Sequence, residues 1–177
     1  MLTDHERYFS LLKKKIDKIR AIDIHRFADM LSFSKMIWII GNGGSCSSAS
    51  HFAEDLCKSA GIKAIALTDP SLITASANDC GYENSFYTGL KILVSSDDAI
   101  VGISVSGESK NILQAFRLLK CRRLALVGVK DSSIDRRADF SIAVGSGDFK
   151  LVEDVHAILC HRIVAEMEKR RNINSKD

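Results

Sequence analysis

The chain has a single proline among 177 residues, one tryptophan, and five cysteines that are spread out and odd in number. Scarce proline and a few clustered glycines argue against a sandwich or barrel built from many turns. The cysteines (Cys46, Cys57, Cys80, Cys121, Cys160) form no CxxC, and no two are closer than eleven residues. That pattern excludes a disulfide framework and a zinc knuckle, leaving reduced thiols that act as small hydrophobes. No run of 18 apolar residues exists, so no membrane span is expected, and the charged start Met1 to Arg7 has no signal-peptide core. The charge is only mildly positive, 25 basic against 22 acidic residues, too little to imply nucleic acid or an anionic membrane as partner. Together these absences predict a soluble, cytoplasmic protein. What is present is apolar residues at 46%, enough for a real core in a chain of one-domain length.

The apolar pattern changes along the chain. From Asp4 to about Phe33, residues Tyr8, Leu12, Ile16 and Ile19 recur at helical spacing, and a second helix follows through Phe27, Met30 and Leu31. Short apolar runs then alternate with helix-length segments. The runs are Met36 to Ile40, Ala64 to Leu67, Ala99 to Ile103, Leu124 to Val129 and, more weakly, Phe140 to Val144. The intervening helices are expected at 46–59, 71–94 and 110–120, and a last one at 151–170 carries Val155, Leu159, Ile163 and Met167 on one stripe. Wholly apolar strands alternating with helices imply a parallel sheet covered on both faces. The expected architecture is a three-layer αβα sandwich of α/β class with about five parallel strands and additional N- and C-terminal helices. Its divisions are N-terminal helices over 1–35, the main domain over 36–170 and a frayed tail over 171–177.

Ligands of such sheets bind beyond the carboxyl ends of the strands. After the first strand stands Gly41-Asn42-Gly43-Gly44-Ser45, opening a helix. Bare amides and a hydroxyl at a helix N-terminus suit an anion, although a tight turn for close packing would use the same glycines. The third glycine of a dinucleotide fingerprint would fall at Cys46, so no nucleotide cofactor is expected. After the third strand comes Ser104-Val105-Ser106-Gly107-Glu108-Ser109. Capping explains one of these serines but not three, and the GK[ST] of a P-loop is missing. Two anion-suited loops at neighbouring strand tips point to a phosphorylated small molecule.

These segments carry a resemblance. Gly41 to Ser45, His51-Phe52-Ala53-Glu54-Asp55, Ala66 to Asp69, Ala77-Asn78-Asp79-Cys80-Gly81-Tyr82-Glu83, Gly102 to Gly107 and Glu153-Asp154-Val155-His156 with His161 resemble, in the same order, the sugar isomerase (SIS) domain of bacterial phosphoheptose isomerases. The resemblance implies conversion of sedoheptulose 7-phosphate to D-glycero-D-manno-heptose 7-phosphate for glycan precursors such as lipopolysaccharide or capsule. It implies sites shared between the subunits of a homotetramer. Phosphate binding falls on Ser104, Ser106 and Ser109, and sugar contacts on Asn42, Gly43, Ser45, Asn78, Asp79 and Glu153. The proton-transfer pair becomes Asp55 and His161, and one zinc ion per subunit, as some members bind, would be held by His51, Asp55, Glu153 and His161. Four positions depart from the family pattern: Asp55 for glutamate, Glu153 for glutamine, Val105 for threonine, and Ser59 where an arginine is expected. The alternative is a non-catalytic phosphosugar-binding or adaptor protein of the same fold.

Spacing bears on part of this set. His51 and Asp55 are four apart, on one helical face, and can converge on one atom. Glu153 and His161 are two turns apart, about 12 Å along the axis, and must lean together to share a metal. His156 points away from His161 and reads as structural, while His5 and His25 read as surface residues of the first helices.

Overall fold

The computed structural model describes residues 2–174. Helices α1 (Asp4–Ile16) and α2 (Ala21–Ser32) precede strand β1 (Ile37–Gly41). There follow α3 (Gly44–Lys58), β2 (Ala64–Ala66), α4 (Pro70–Cys80), a 3-10 turn (Tyr82–Asn84) and α5 (Ser85–Leu90). The chain ends with β3 (Ala99–Ser104), α6 (Lys110–Leu118), β4 (Arg122–Val127), a second 3-10 turn (Asp135–Arg137), β5 (Phe140–Ala143) and α7 (Phe149–Asn174). All strand pairs are parallel, in the order β2-β1-β3-β4-β5.

Side chains alternate across this sheet, so each strand feeds two cores. Ile37, Ile39, Val101 and Leu126 face a core closed by Phe27 and Leu31 of α2, Phe52 and Leu56 of α3, and Val155, Leu159, Ile163 and Met167 of α7. Trp38, Ile40, Ile100 and Val127 face the other, closed by Phe86 of α5 and Ile112 and Phe116 of α6. That arrangement is the expected three-layer sandwich; α2 buries Phe27, Ala28 and Leu31 in its first core, and Leu12 and Ile16 of α1 pack against it. None of the described helices is long and apolar enough to cross a membrane.

Local chemistry explains where the elements begin. Thr3 and Glu6 form a reciprocal capping box on α1, and the Asp69 side chain caps α4 with Pro70 in its first turn. One expected helix is corrected. The stretch 71–94 is interrupted at Gly81, whose φ of 86° lies outside any helix, and the chain passes through the 3-10 turn before α5. The last helix is longer than expected at both ends, and it continues to Asn174 where fraying was anticipated from Arg171. The rest of that tail lies outside the described residues. Of the cysteines only Cys160 is fully buried, where burial raises its thiol to about 12; Cys57 and Cys80 are exposed.

Candidate active site

The sheet order places the chain's change of direction between β1 and β3: from β1 the chain steps outward to β2, then crosses back to β3. At such a switch point the two following loops separate and leave a crevice. The glycine-rich loop after β1 and the serine loop after β3 therefore lie side by side. They border a cleft of about 80 Å³ lined by Asn42, Ser45, Ser104, Ser106, Ser109, Phe149 and Glu153.

Helices α3 and α6 both start at this cleft, and neither N-terminus is closed by a side-chain cap. Ser109, at the cap position of α6, directs its hydroxyl instead at the Ser104 hydroxyl, 3.2 Å away. Ser104 in turn accepts the Gly107 N–H at 3.1 Å, and Ser106 accepts the Glu108 N–H at 3.2 Å. Glu108 turns outward: its carboxylate accepts the Ser133 N–H at 2.8 Å, and hydrogen bonding from Ser133 holds its pKa below the usual carboxylate range. The outward turn keeps the Glu108 charge away from the serine hydroxyls. Val105 is buried beneath the loop and presents no hydroxyl.

Gly107 is where this loop needs glycine. Its φ is 69°, and a Cβ there would lie 2.0 Å from Ser132 Oγ and 2.4 Å from Ser132 Cβ. Gly107→Ala is expected to destabilise the protein by roughly 2–4 kcal/mol, combining left-handed strain with overpacking. Urea unfolding checks this. Adding Ser132→Gly should restore the part due to overlap and leave the part due to strain.

A second cluster lies further along α3 and α7. His51 Nε2 and His161 Nε2 are 3.0 Å apart, and Asp55 Oδ2 is 3.5 Å from the first and 3.8 Å from the second. The two imidazoles meet edge to face. These side chains come together because α3 and α7 pack on the same side of the sheet and both start near the cleft, so the second to fourth turns of α3 run beside the fourth turn of α7. Both histidines are more than half exposed, and Asp55 is one-fifth exposed. Separations of 3.0–3.8 Å suit three corners of a tetrahedron, whose edge is about 3.3–3.4 Å for zinc bonds of about 2.0–2.1 Å. Among the described residues, these three are the group that can converge on a metal ion.

The fourth expected ligand lies outside this three-residue group. Glu153 stands two turns before His161 on α7 and is not in this group. Its carboxylate lies against Gly44 at the start of α3, where a Cβ would come within 2.4 Å of it, and it lines the cleft with the serines. Asn78 and Asp79 also stand apart: they are exposed on the last turn of α4, bonded to each other at 2.9 Å, and neither lines the cleft. Gly43 makes the entry into α3 with a φ of 55°. His5 and His25 are exposed, the latter paired with Glu166 at 2.9 Å.

The SIS-domain sequence pattern matches residues 6–130. A phosphoheptose isomerase of Helicobacter pylori is 35% identical over 85% of this chain and 84% of its own length. One from Geotalea daltonii is 33% identical over 94% and 91%. The chain belongs to the SIS-domain phosphoheptose isomerase family. Among solved structures, a phosphoheptose isomerase from Neisseria gonorrhoeae superposes with a TM-score of 0.82 at 27% identity, covering 94% of this chain and all of the other. Another from Francisella tularensis superposes with 0.83 at 25% identity, covering 93% and 94%. Within this SIS domain two neighbouring residues, Asn111 and Ser85, escaped the sequence reading, and Tyr82 was included in a motif without a role. Asn111, Ser85 and Tyr82 join Asn42 in one hydrogen-bonded group, and their separations of up to 69 residues carry no sequence signal.

Proposed function

We propose that this isomerase interconverts sedoheptulose 7-phosphate and D-glycero-D-manno-heptose 7-phosphate through an enediol, in the cytoplasm, for glycan precursors. The observation that carries the reading is the convergence of Asp55, His51 and His161 on two helices that both begin at a serine-lined cleft. In this reading the hydroxyls of Ser104, Ser106 and Ser109 and the free amides of α6 hold the phosphate. Ser45, Gly43 and Asn42, and Asn78 and Asp79 from the end of α4, contact the sugar. Asp55 takes a proton from C1 of the ketose and returns it to C2. His161 gives a proton to the oxygen on C2 and receives the one leaving the oxygen on C1, so the reaction balances without a co-reactant. One carboxylate and one imidazole at 3.8 Å are the parts that proton shuttling needs and a binding protein does not.

His51, Asp55 and His161 would hold one zinc ion per subunit. When bound, such a cation supplies Lewis-acid polarisation of the carbonyl. Glu153 serves in the cleft, and its charge next to the α3 N-terminus is favourable to the helix dipole.

Cleft and cluster are about 10–12 Å apart along α3 and α7, from Gly44 to His51 and from Glu153 to His161. A second copy of the chain that brings its cluster towards this cleft would close the gap, which supports a homotetramer with shared sites. Incubation with sedoheptulose 7-phosphate in deuterated water is expected to give the aldose with solvent deuterium at the isomerising carbons. Neither interconversion nor exchange, with zinc present or absent, would overturn the proposal. Elemental analysis of protein prepared without chelator should find one zinc per chain, and a metal-free, fully active protein would remove the metal from the reading.

A further inference from the structure

We infer that Asn111 is a positioning residue that turns Asn42 into a one-way hydrogen-bond donor in the cleft. The argument rests on the cleft being the sugar-phosphate site proposed above, and it follows from counting donors and acceptors around two amides. Asn111 is 1% exposed, at the second residue of α6. Its Oδ1 accepts the Ile112 backbone N–H at 3.0 Å. A backbone N–H can only donate, so this contact decides which way round the Asn111 amide lies. Its Nδ2 must then face Asn42 Oδ1, at 2.9 Å, and Ser85 Oγ, at 3.3 Å. The other bond of the amide pair runs from Asn42 Nδ2 to Asn111 Oδ1 at 3.0 Å.

Asn42 inherits its orientation from this pair. Its Oδ1 accepts from Asn111 and also from the Tyr82 hydroxyl at 2.8 Å, which uses both lone pairs. One of its two N–H groups is spent on Asn111. What is left is a single N–H on a side chain that lines the cleft beside Ser45, Ser104 and Glu153. Asn42 can therefore offer a donor to a sugar or phosphate oxygen, and it has no acceptor to offer a sugar hydroxyl. Flipping its amide would set N–H against N–H and oxygen against oxygen at Asn111. The orientation set at Ile112 thus crosses the switch point between β1 and β3 by way of one buried and one half-buried amide, and no charge is involved.

A positioning role through Asn42 differs from a merely structural one in a double-substitution cycle. Turnover of sedoheptulose 7-phosphate is measured for the native protein, Asn111→Ala, Asn42→Ala and the double variant. Losing the orientation should lower kcat/KM roughly tenfold in Asn111→Ala, about the effect of one hydrogen bond made in the transition state. The same substitution should cost less than about twofold when Asn42 is already alanine. Equal losses in both backgrounds would overturn the inference. If Asn111→Ala does not fold, the isosteric Asn111→Asp keeps the acceptor for Ile112, loses both donors, and enters the same cycle with the same expectation. The side-chain amide resonances of the native protein test the polarity without any turnover. Couplings across hydrogen bonds from Asn111 Nδ2 to Asn42 Oδ1 and from Asn42 Nδ2 to Asn111 Oδ1 are expected. Their absence, with Asn42 Nδ2 facing the Tyr82 oxygen instead, would overturn the inference. Absent turnover in the native protein with those couplings present would sink the isomerase reading and leave the amide orientation standing.

Discussion

Asp55→Asn should lower kcat for sedoheptulose 7-phosphate by 10²- to 10⁴-fold, the range that one positioned acid-base group contributes. The substitution keeps the size of the side chain and removes its charge, and with it the ability to take a proton and to serve as an anionic metal ligand. Asp55 is partly exposed, and its two partners are imidazoles that also face each other at 3.0 Å. The unfolding free energy of the metal-free protein should stay within the spread of ordinary surface changes, about 0.5 kcal/mol. Binding should survive as well, because the serine cleft lies two turns of helix away. A variant that still binds the sugar phosphate by calorimetry, keeps the native zinc content, unfolds normally and fails to exchange deuterium would place the proton shuttle on this carboxylate. Undiminished exchange would remove Asp55 from that role.

The second large effect concerns His156, on the buried face of α7. The ring is fully buried, and neither nitrogen has a hydrogen-bond partner among the described residues. Burial drives its pKa down to about 4, slightly offset by the Val127 carbonyl, which lies nearby but outside good hydrogen-bond geometry. In the unfolded chain the same ring takes up a proton near 6.5. Between those values the unfolded state binds more protons than the folded one, so stability is complete above pH 6.5 and falls as the pH drops towards 4. The loss amounts to about 3 kcal/mol across that window, at 1.36 kcal/mol for each unit of displacement. His156→Leu should flatten that part of the profile. It should also match or exceed the native stability at pH 7, because two buried nitrogens without partners are replaced by carbon. Urea unfolding of both proteins from pH 4 to 8 measures the difference. Parallel profiles would show that the ring is charged, or bonded, in the folded state.

Much of the fold was legible because its signals are local. Apolar runs such as Met36 to Ile40 and Leu124 to Val129 announce strands buried on both faces, and each is a strand within one or two residues of where the pattern puts it. Capping residues such as Thr3 and Asp69 set helix starts. The long helix expected over 71–94 failed because a lone glycine within a helical pattern does not declare its φ; only the structure shows that Gly81 ends α4. Candidate site residues separate along the same line. His51 and Asp55 share a helical face by their spacing alone, and His161 joins them because α7 packs beside α3. Glu153, grouped with them by the resemblance, stands eight residues of helix before His161 and lines the cleft. The Asn42–Asn111 pair was illegible, since it depends on a sheet crossover that brings together residues 69 positions apart.

That α3 and α7 each carry both a cleft residue and a cluster residue has a bearing on sequence drift. A one-residue insertion or deletion between Gly44 and Asp55, or between Glu153 and His161, would swing everything downstream by about 100° around the helix axis. It would turn Asp55 or His161 away from its neighbours while leaving the serine loop after β3 intact. The stretch from Lys91 to Asp98, which lies in no helix or strand, transmits no such rotation. Length variation among descendants of this chain should therefore gather there and stay out of the two helices, whatever happens to the identity of individual residues.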